Sequence, residues 1–144
     1  MKIVEIQDEI VSEFSEVDDW MDRYGMIIDL GNSLPPIDEK YRNPEHLIEG
    51  CQSRVWLNAE LTPEGKVRYT ADSDAIIVKG IIALLIDVLN DSAPKDIIDA
   101  KLYFIDRIGL SENLSPTRSN GLLAMVRQMK MYAVAFQAQL DAEN

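Results

Sequence analysis

Ile3, Ile6, Ile10 and Phe14 recur at steps of three and four residues with Glu5, Asp8, Glu9 and Glu13 between them, which predicts an amphipathic helix. Ser15 is placed to cap a second helix. Its apolar face would be Val17, Trp20, Met21, Tyr24, Ile27 and Ile28, its first turn is acidic, and Gly31 would end it. From Asn32 to Glu49 the signals change to those of a loop: Pro35-Pro36 forbids helix and Asn43-Pro44 permits only a short helical turn. From Ser53 to Leu61 the period becomes two. Ser53, Val55, Leu57, Ala59 and Leu61 share one face, and Arg54, Trp56, Asn58 and Glu60 the other, which predicts a strand. Thr62-Pro63-Glu64-Gly65 has turn chemistry, and Val67, Tyr69 and Ala71 then alternate with Arg68, Thr70 and Asp72, so a hairpin follows.

Asp72-Ser73-Asp74 ends that hairpin and offers caps for a helix over 75–89. That segment is apolar nearly all round and is interrupted by Lys79 and Asp87. It falls short of the roughly 20 residues that span a bilayer and reads as a central core helix. A further helix is expected from Pro94 or Lys95 to Ile108, stopped by Gly109. A last one runs from Ser115-Pro116 to about Leu140, with Leu122, Leu123, Met125, Val126, Met129, Tyr132, Ala133 and Phe136 inward, and Arg118, Arg127 and Lys130 making it basic. The pattern predicts an α/β (α+β) fold: one domain over 1–144, in which a small antiparallel sheet made by the hairpin packs against several helices.

The 144 residues suit one core, and 47% hydrophobic with 27% charged residues is the balance of a soluble globule. The start, Met1-Lys2-Ile3-Val4-Glu5, lacks the apolar stretch of a secretory signal, so a cytoplasmic location is expected. The formal charge is −11, and residues 1–49 carry 13 acids against 4 bases. Such a surface repels phosphate backbones and anionic headgroups, which argues against nucleic acid and membranes and in favour of a protein partner.

The chain has one cysteine, Cys51, and one histidine, His46. One thiol makes no internal disulfide and supplies neither the four thiolates usual for an iron-sulfur cluster nor a structural zinc set, so no metal and no cofactor is expected. Cys51 follows Gly50, which permits a sharp turn, and precedes the polar pair Gln52-Ser53, so it reads as a thiol on a loop. For a Cys51–His46 hydrolase dyad no asparagine or aspartate stands out to orient the histidine, and such a nucleophile normally needs an oxyanion site and a substrate cleft, so His46 reads as an exposed or structural histidine. With the hairpin turn centred near Pro63-Glu64, Glu60 would face Lys66 and Arg54 would face Asp72. Cys51 would then lie close to Asp74 and Ala75 at the start of the core helix, with the helix dipole lowering the thiol pKa and Asp72 and Asp74 opposing it.

Three separated stretches, Gly50-Cys51-Gln52-Ser53-Arg54-Val55-Trp56, Asp72-Ser73-Asp74-Ala75-Ile76-Ile77-Val78-Lys79-Gly80 and Leu114-Ser115-Pro116-Thr117-Arg118-Ser119-Asn120-Gly121, resemble the SufE/CsdE family of sulfur acceptors, in that order and over roughly residues 18–132. The resemblance implies an α/β fold shared with IscU-type scaffold proteins. It also implies that Cys51 accepts a persulfide sulfur from a pyridoxal-phosphate cysteine desulfurase of the SufS or CsdA type, stimulates that enzyme, and passes the sulfur to an iron-sulfur scaffold. Arg118 matches the arginine of the third stretch, which the resemblance places near the partner-facing surface; Gly50, Gln52 and Ser53 flank the thiol. Roles for Arg54 and Asp74 rest on the hairpin pairing alone. A second nearby cysteine would resolve a persulfide into a disulfide, so a solitary thiol suits a carrier better than a cluster scaffold. The alternative is a regulatory binding module that activates a desulfurase without carrying sulfur. The sequence admits a homodimer as well as a monomer.

Overall fold

The structure is a computed structural model, and it describes residues 2–143. In it, seven α-helices surround a two-stranded antiparallel sheet. The helices are α1 (Lys2–Ser15), α2 (Trp20–Asn32), α3 (Ile76–Leu89), α4 (Pro94–Asp99), α5 (Phe104–Arg107), α6 (Leu110–Asn113) and α7 (Pro116–Ala142); the strands are β1 (Val55–Leu61) and β2 (Val67–Ser73). This is the α+β arrangement expected, with the hairpin packed on helices.

α3 is the centre of the core. Val78, Gly80–Ile86, Val88 and Leu89 are all buried, as an all-round apolar pattern requires. α2 lies against it through a crossing of glycines. A Cβ on Gly80 would stand 2.1 Å from the Ile27 carbonyl oxygen, and one on Gly31 would stand 2.7 Å from the Gly80 nitrogen. Gly31 therefore does not stop α2, which continues to Asn32; it is there so that two backbones can meet. The cap of α2 is Asp19, whose carboxylate accepts from the Met21 N–H at 2.9 Å, whereas Ser15 ends α1 and bonds back to Ser12. With the start moved to Trp20, Met21 turns outward and is 74% exposed. Leu123 on α7, also expected inside, is exposed too.

The segment expected to be one helix over 94–108 is broken between Asp99 and Phe104. Side chains from elsewhere take the place of the missing helical bonds. Buried Gln7 donates to the Lys101 carbonyl and accepts from the Phe104 N–H, both at 3.2 Å, and Lys130 donates to the Ile98 and Ala100 carbonyls. Each of these backbone groups is satisfied without helix, so the chain can turn there. Gly109 then adopts φ +79°, separating α5 from α6.

β1 and β2 pair with Val55 opposite Ser73, Trp56 opposite Asp72 and Glu60 opposite Arg68. This is two residues away from the pairing the turn position suggests, and the same side chains still face the core: Val55, Leu57, Val67, Tyr69 and Ala71 are buried. Two tyrosines tie the sheet to α7, Tyr69 donating to the Met129 carbonyl at 2.7 Å and Tyr132 to the Leu57 carbonyl at 3.4 Å. Burial pushes the Tyr69 hydroxyl pKa up, so it remains a donor throughout the neutral range. α3 begins at Ile76 without a side-chain cap; neither Asp72 nor Asp74 serves as one. Among the described residues no helix is long and apolar enough to cross a membrane.

Candidate functional site

Cys51 lies at the tip of a short arm. Leu47 bridges to Trp56 in antiparallel sense and the Ile48 N–H donates to the Val55 carbonyl at 2.9 Å, so the chain doubles back on itself between Ile48 and Val55. Asp74 closes the other side of the arm's base. Its carboxylate accepts from the Arg54 N–H at 3.1 Å, its own N–H donates to the Arg54 carbonyl at 3.3 Å, and that carbonyl also accepts from the Ser73 hydroxyl at 2.7 Å. The shifted register thus sets Arg54, not Cys51, beside Asp74.

The thiol points toward α7. Its Sγ lies 3.6 Å from the Gly121 carbonyl oxygen, within reach of an S–H donor, and Gly50, at φ +93°, brings the arm so close that a Cβ on it would lie 3.3 Å from Ala124 Cβ. α7 can present Gly121 here because its start is well defined. Ser115 caps it by accepting from the Arg118 N–H at 3.3 Å, and Pro116 occupies the first turn, where its missing N–H costs nothing.

A cavity of about 380 Å³ opens at the thiol. Cys51, Gln52 and Ser53 come from the arm, Val78 and Ile81 from α3, and Ser115, Thr117, Arg118, Gly121 and Met125 from α7 and its cap. Of the site residues expected from the sequence, the cavity gathers Cys51, Gln52, Ser53 and Arg118. Gly50 shapes the arm behind the thiol, while Arg54 and Asp74 lie at its base. An asparagine does orient His46, contrary to the sequence expectation, its Nδ1 lying 2.8 Å from Asn43 Oδ1 and its ring against Tyr41, but the histidine does not line the thiol cavity. The apolar floor of Val78, Ile81 and Met125 was not singled out from the sequence, and neither was Gly121. Gly121 does close the third of the family-like stretches, and a glycine inside a helical pattern that does not break there marks a close approach.

Cys51 is half-buried, and burial pushes its thiol pKa up from the ordinary value. The aspartates do not set this. Asp72 is held by Arg42 and, at 3.3 Å, by Lys79, with Arg42 also lying over the Trp56 ring at 5.2 Å. Burial alone would raise the Asp72 pKa, but the Ser73 N–H, Arg42 and Lys79 together bring it below its ordinary value. At neutral pH the arrangement is a neutral thiol in a half-apolar cleft with one guanidinium at its rim. It suits a nucleophile that is kept quiet until its surroundings change.

The fold is similar to the solution structure of a hypothetical protein from Thermus thermophilus, at a TM-score of 0.76 and 20% identity, covering 92% of this chain and 96% of that one. The family model described as SufE: Fe-S metabolism associated domain matches residues 8–133, a stretch that runs from α1 into the second half of α7 and includes both the arm and the helix that receives it. With nearly all of the fold and every wall of the thiol cavity inside that match, the chain belongs to the SufE family of Fe-S metabolism associated domains.

Proposed function

We propose that this protein is a sulfur carrier: Cys51 takes a persulfide sulfur from a pyridoxal-phosphate cysteine desulfurase of the SufS or CsdA type, stimulates that enzyme by relieving it of sulfur, and delivers the sulfur to an iron-sulfur scaffold. In the loading step the Cys51 thiolate attacks the outer sulfur of the partner's cysteine persulfide. A new S–S bond forms on Cys51, the partner's S–S bond breaks, and its cysteine leaves as a thiolate. No outside oxidant is required. The observation that carries the reading is the placement of the chain's one thiol, at an arm tip over a cavity with far more room than the thiol itself fills. Arg118 at the rim is suited to meet an anionic sulfur species or an acidic partner segment, and the cytoplasm is the compartment such chemistry calls for.

The test is an intact mass, taken without reductant after incubation with a desulfurase and cysteine. The parent should gain one sulfur atom and raise desulfurase turnover. Cys51→Ser should fold with little change in Tm, gain no sulfur and give no stimulation. Full stimulation by the serine variant would replace the carrier reading with that of a regulatory binding module.

A further inference from the structure

α7 runs on past the body of the protein. Its last buried residue is Ala133, yet it stays helical to Ala142, and none of residues 134–142 is buried. The match to the family model also ends at 133. A helix in water is held mainly by what packs on its apolar face, so an extension that still presents apolar side chains to solvent marks a face made to be covered. Arg127, Met131, Val134, Ala138 and Asp141 follow one another at steps of four, three, four and three, the spacing that keeps a single seam facing a second helix. All five are exposed, Met131 by 57% and Val134 by 53%. The seam is apolar in the middle and charged at its ends. Arg127 has no ion-pair partner among the described residues, and Asp141 takes only a neutral bond, from Gln137 Nε2 at 3.0 Å.

We propose that this seam docks a second copy of the chain, the two α7 helices lying antiparallel about a twofold axis at Val134. Arg127 and Asp141 stand seven residues to either side of Val134. An antiparallel pair therefore lays each Arg127 against the other copy's Asp141 and sets Val134 on its own counterpart, with Met131 packing beside Ala138. A parallel pair would put like charges together. Charge also selects the place. Residues 1–49 carry 13 acids against 4 bases and repel another copy, whereas residues 116–142 carry three bases against one acid. The arrangement leaves both thiols free. Met125, on the floor of the thiol cavity, stands nine residues before Val134 and so half a turn round the helix from the seam, which turns each Cys51 cavity away from the axis. The contact is a single helix pair, so it belongs with the small, weak interfaces whose occupancy follows concentration.

The inference does not rest on sulfur transfer, and no desulfurase enters its test. The full chain is followed by sedimentation equilibrium between about 10 µM and about 1 mM, where weak interfaces fill, with reductant present so that a Cys51 disulfide does not count. The parent should pass from monomer to dimer. Arg127→Glu should weaken the dimer about tenfold, because both ion pairs become repulsive, and adding Asp141→Arg should restore the parent affinity to within about threefold. Cys51 alkylation should run at the same rate in monomer and dimer. A parent that stays monomeric would leave the seam to a different protein and overturn the self-pair. So would an Arg127→Glu loss that Asp141→Arg does not rescue, or a dimer in which alkylation is slowed about tenfold.

Discussion

Glycines bring backbone close to backbone in two regions of this molecule, with opposite results. Where α2 crosses α3, a Cβ on Gly80 would meet the Ile27 carbonyl oxygen at 2.1 Å and its Cγ2 at 2.5 Å, both in a fully buried core that has no room to give. Where the arm rests on α7, a Cβ on Gly121 would meet only the Cys51 sulfur, at an ordinary 3.6 Å. The first contact is fixed by the packing of two long helices. The second involves five arm residues without ladder bonds. The two contacts differ in anchoring: both helices of the crossing are packed into the core along their length, whereas the arm that bears the thiol has its backbone bonds at its base.

The comparison is broken most forcefully at the crossing. Gly80→Ala should cost about 3 kcal/mol, even after alanine's better helix propensity, because the new carbon overlaps backbone rather than a mobile side chain. Tm should fall by roughly 10 °C. A loss below about 1 kcal/mol would mean that the α2–α3 crossing relaxes as readily as the arm.

A smaller effect is expected at the boundary between the two regions, where Asp72 on β2 holds Arg42 from the loop leading to the arm and Lys79 from α3. Asp72→Asn strands Lys79 and leaves Arg42 with only its exposed partner Glu39, 3.1 Å away, and should cost about 2 kcal/mol, less than a fully buried pair would. The pH dependence gives the sign. The folded pKa of Asp72 is depressed, so its contribution is present above the unfolded value near 3.8 and is lost as pH falls through the folded value. The gap in stability between parent and variant, measured by urea titration, should be constant at neutral pH and shrink below about pH 4. A gap that persists unchanged in acid would assign the loss to packing.

The smallest effect belongs to the arm. Gly121→Ala should leave the protein as stable as the parent or more so, by about 0.5–1 kcal/mol, since a helical glycine is relieved and the added methyl meets no backbone. Thermal melting checks this. A clear loss of stability would show that the arm is packed as tightly as the crossing.

Much of the fold was legible because it follows from period and composition. The all-round apolar run of α3 admits burial and little else, and Ser115-Pro116 marks the start of α7 by cap chemistry that operates within one turn. The candidate site was legible in part: Cys51 stood out as chemistry and Arg118 through the family resemblance, but Val78, Ile81 and Met125 look like any core residues until the fold brings them under the thiol. Ser15 and Gly31 carried the right local signals for ends that lie elsewhere, because Asp19 also caps and because Gly31 answers to Gly80.

The sequence by itself determined which strand faces are buried, since alternation is a property of each strand alone. It could not determine the register, because a shift of two residues restores the same faces and leaves the pattern unchanged. That shift decides whether Asp74 meets Arg54 or Cys51. Likewise the break between α4 and α5 has no local breaker; it exists because Gln7 and Lys130, distant in sequence, satisfy its backbone groups. Period, caps and burial are written locally, whereas register, and the hydrogen bonds that let a helix stop, are settled only when remote parts of the chain compete for the same groups.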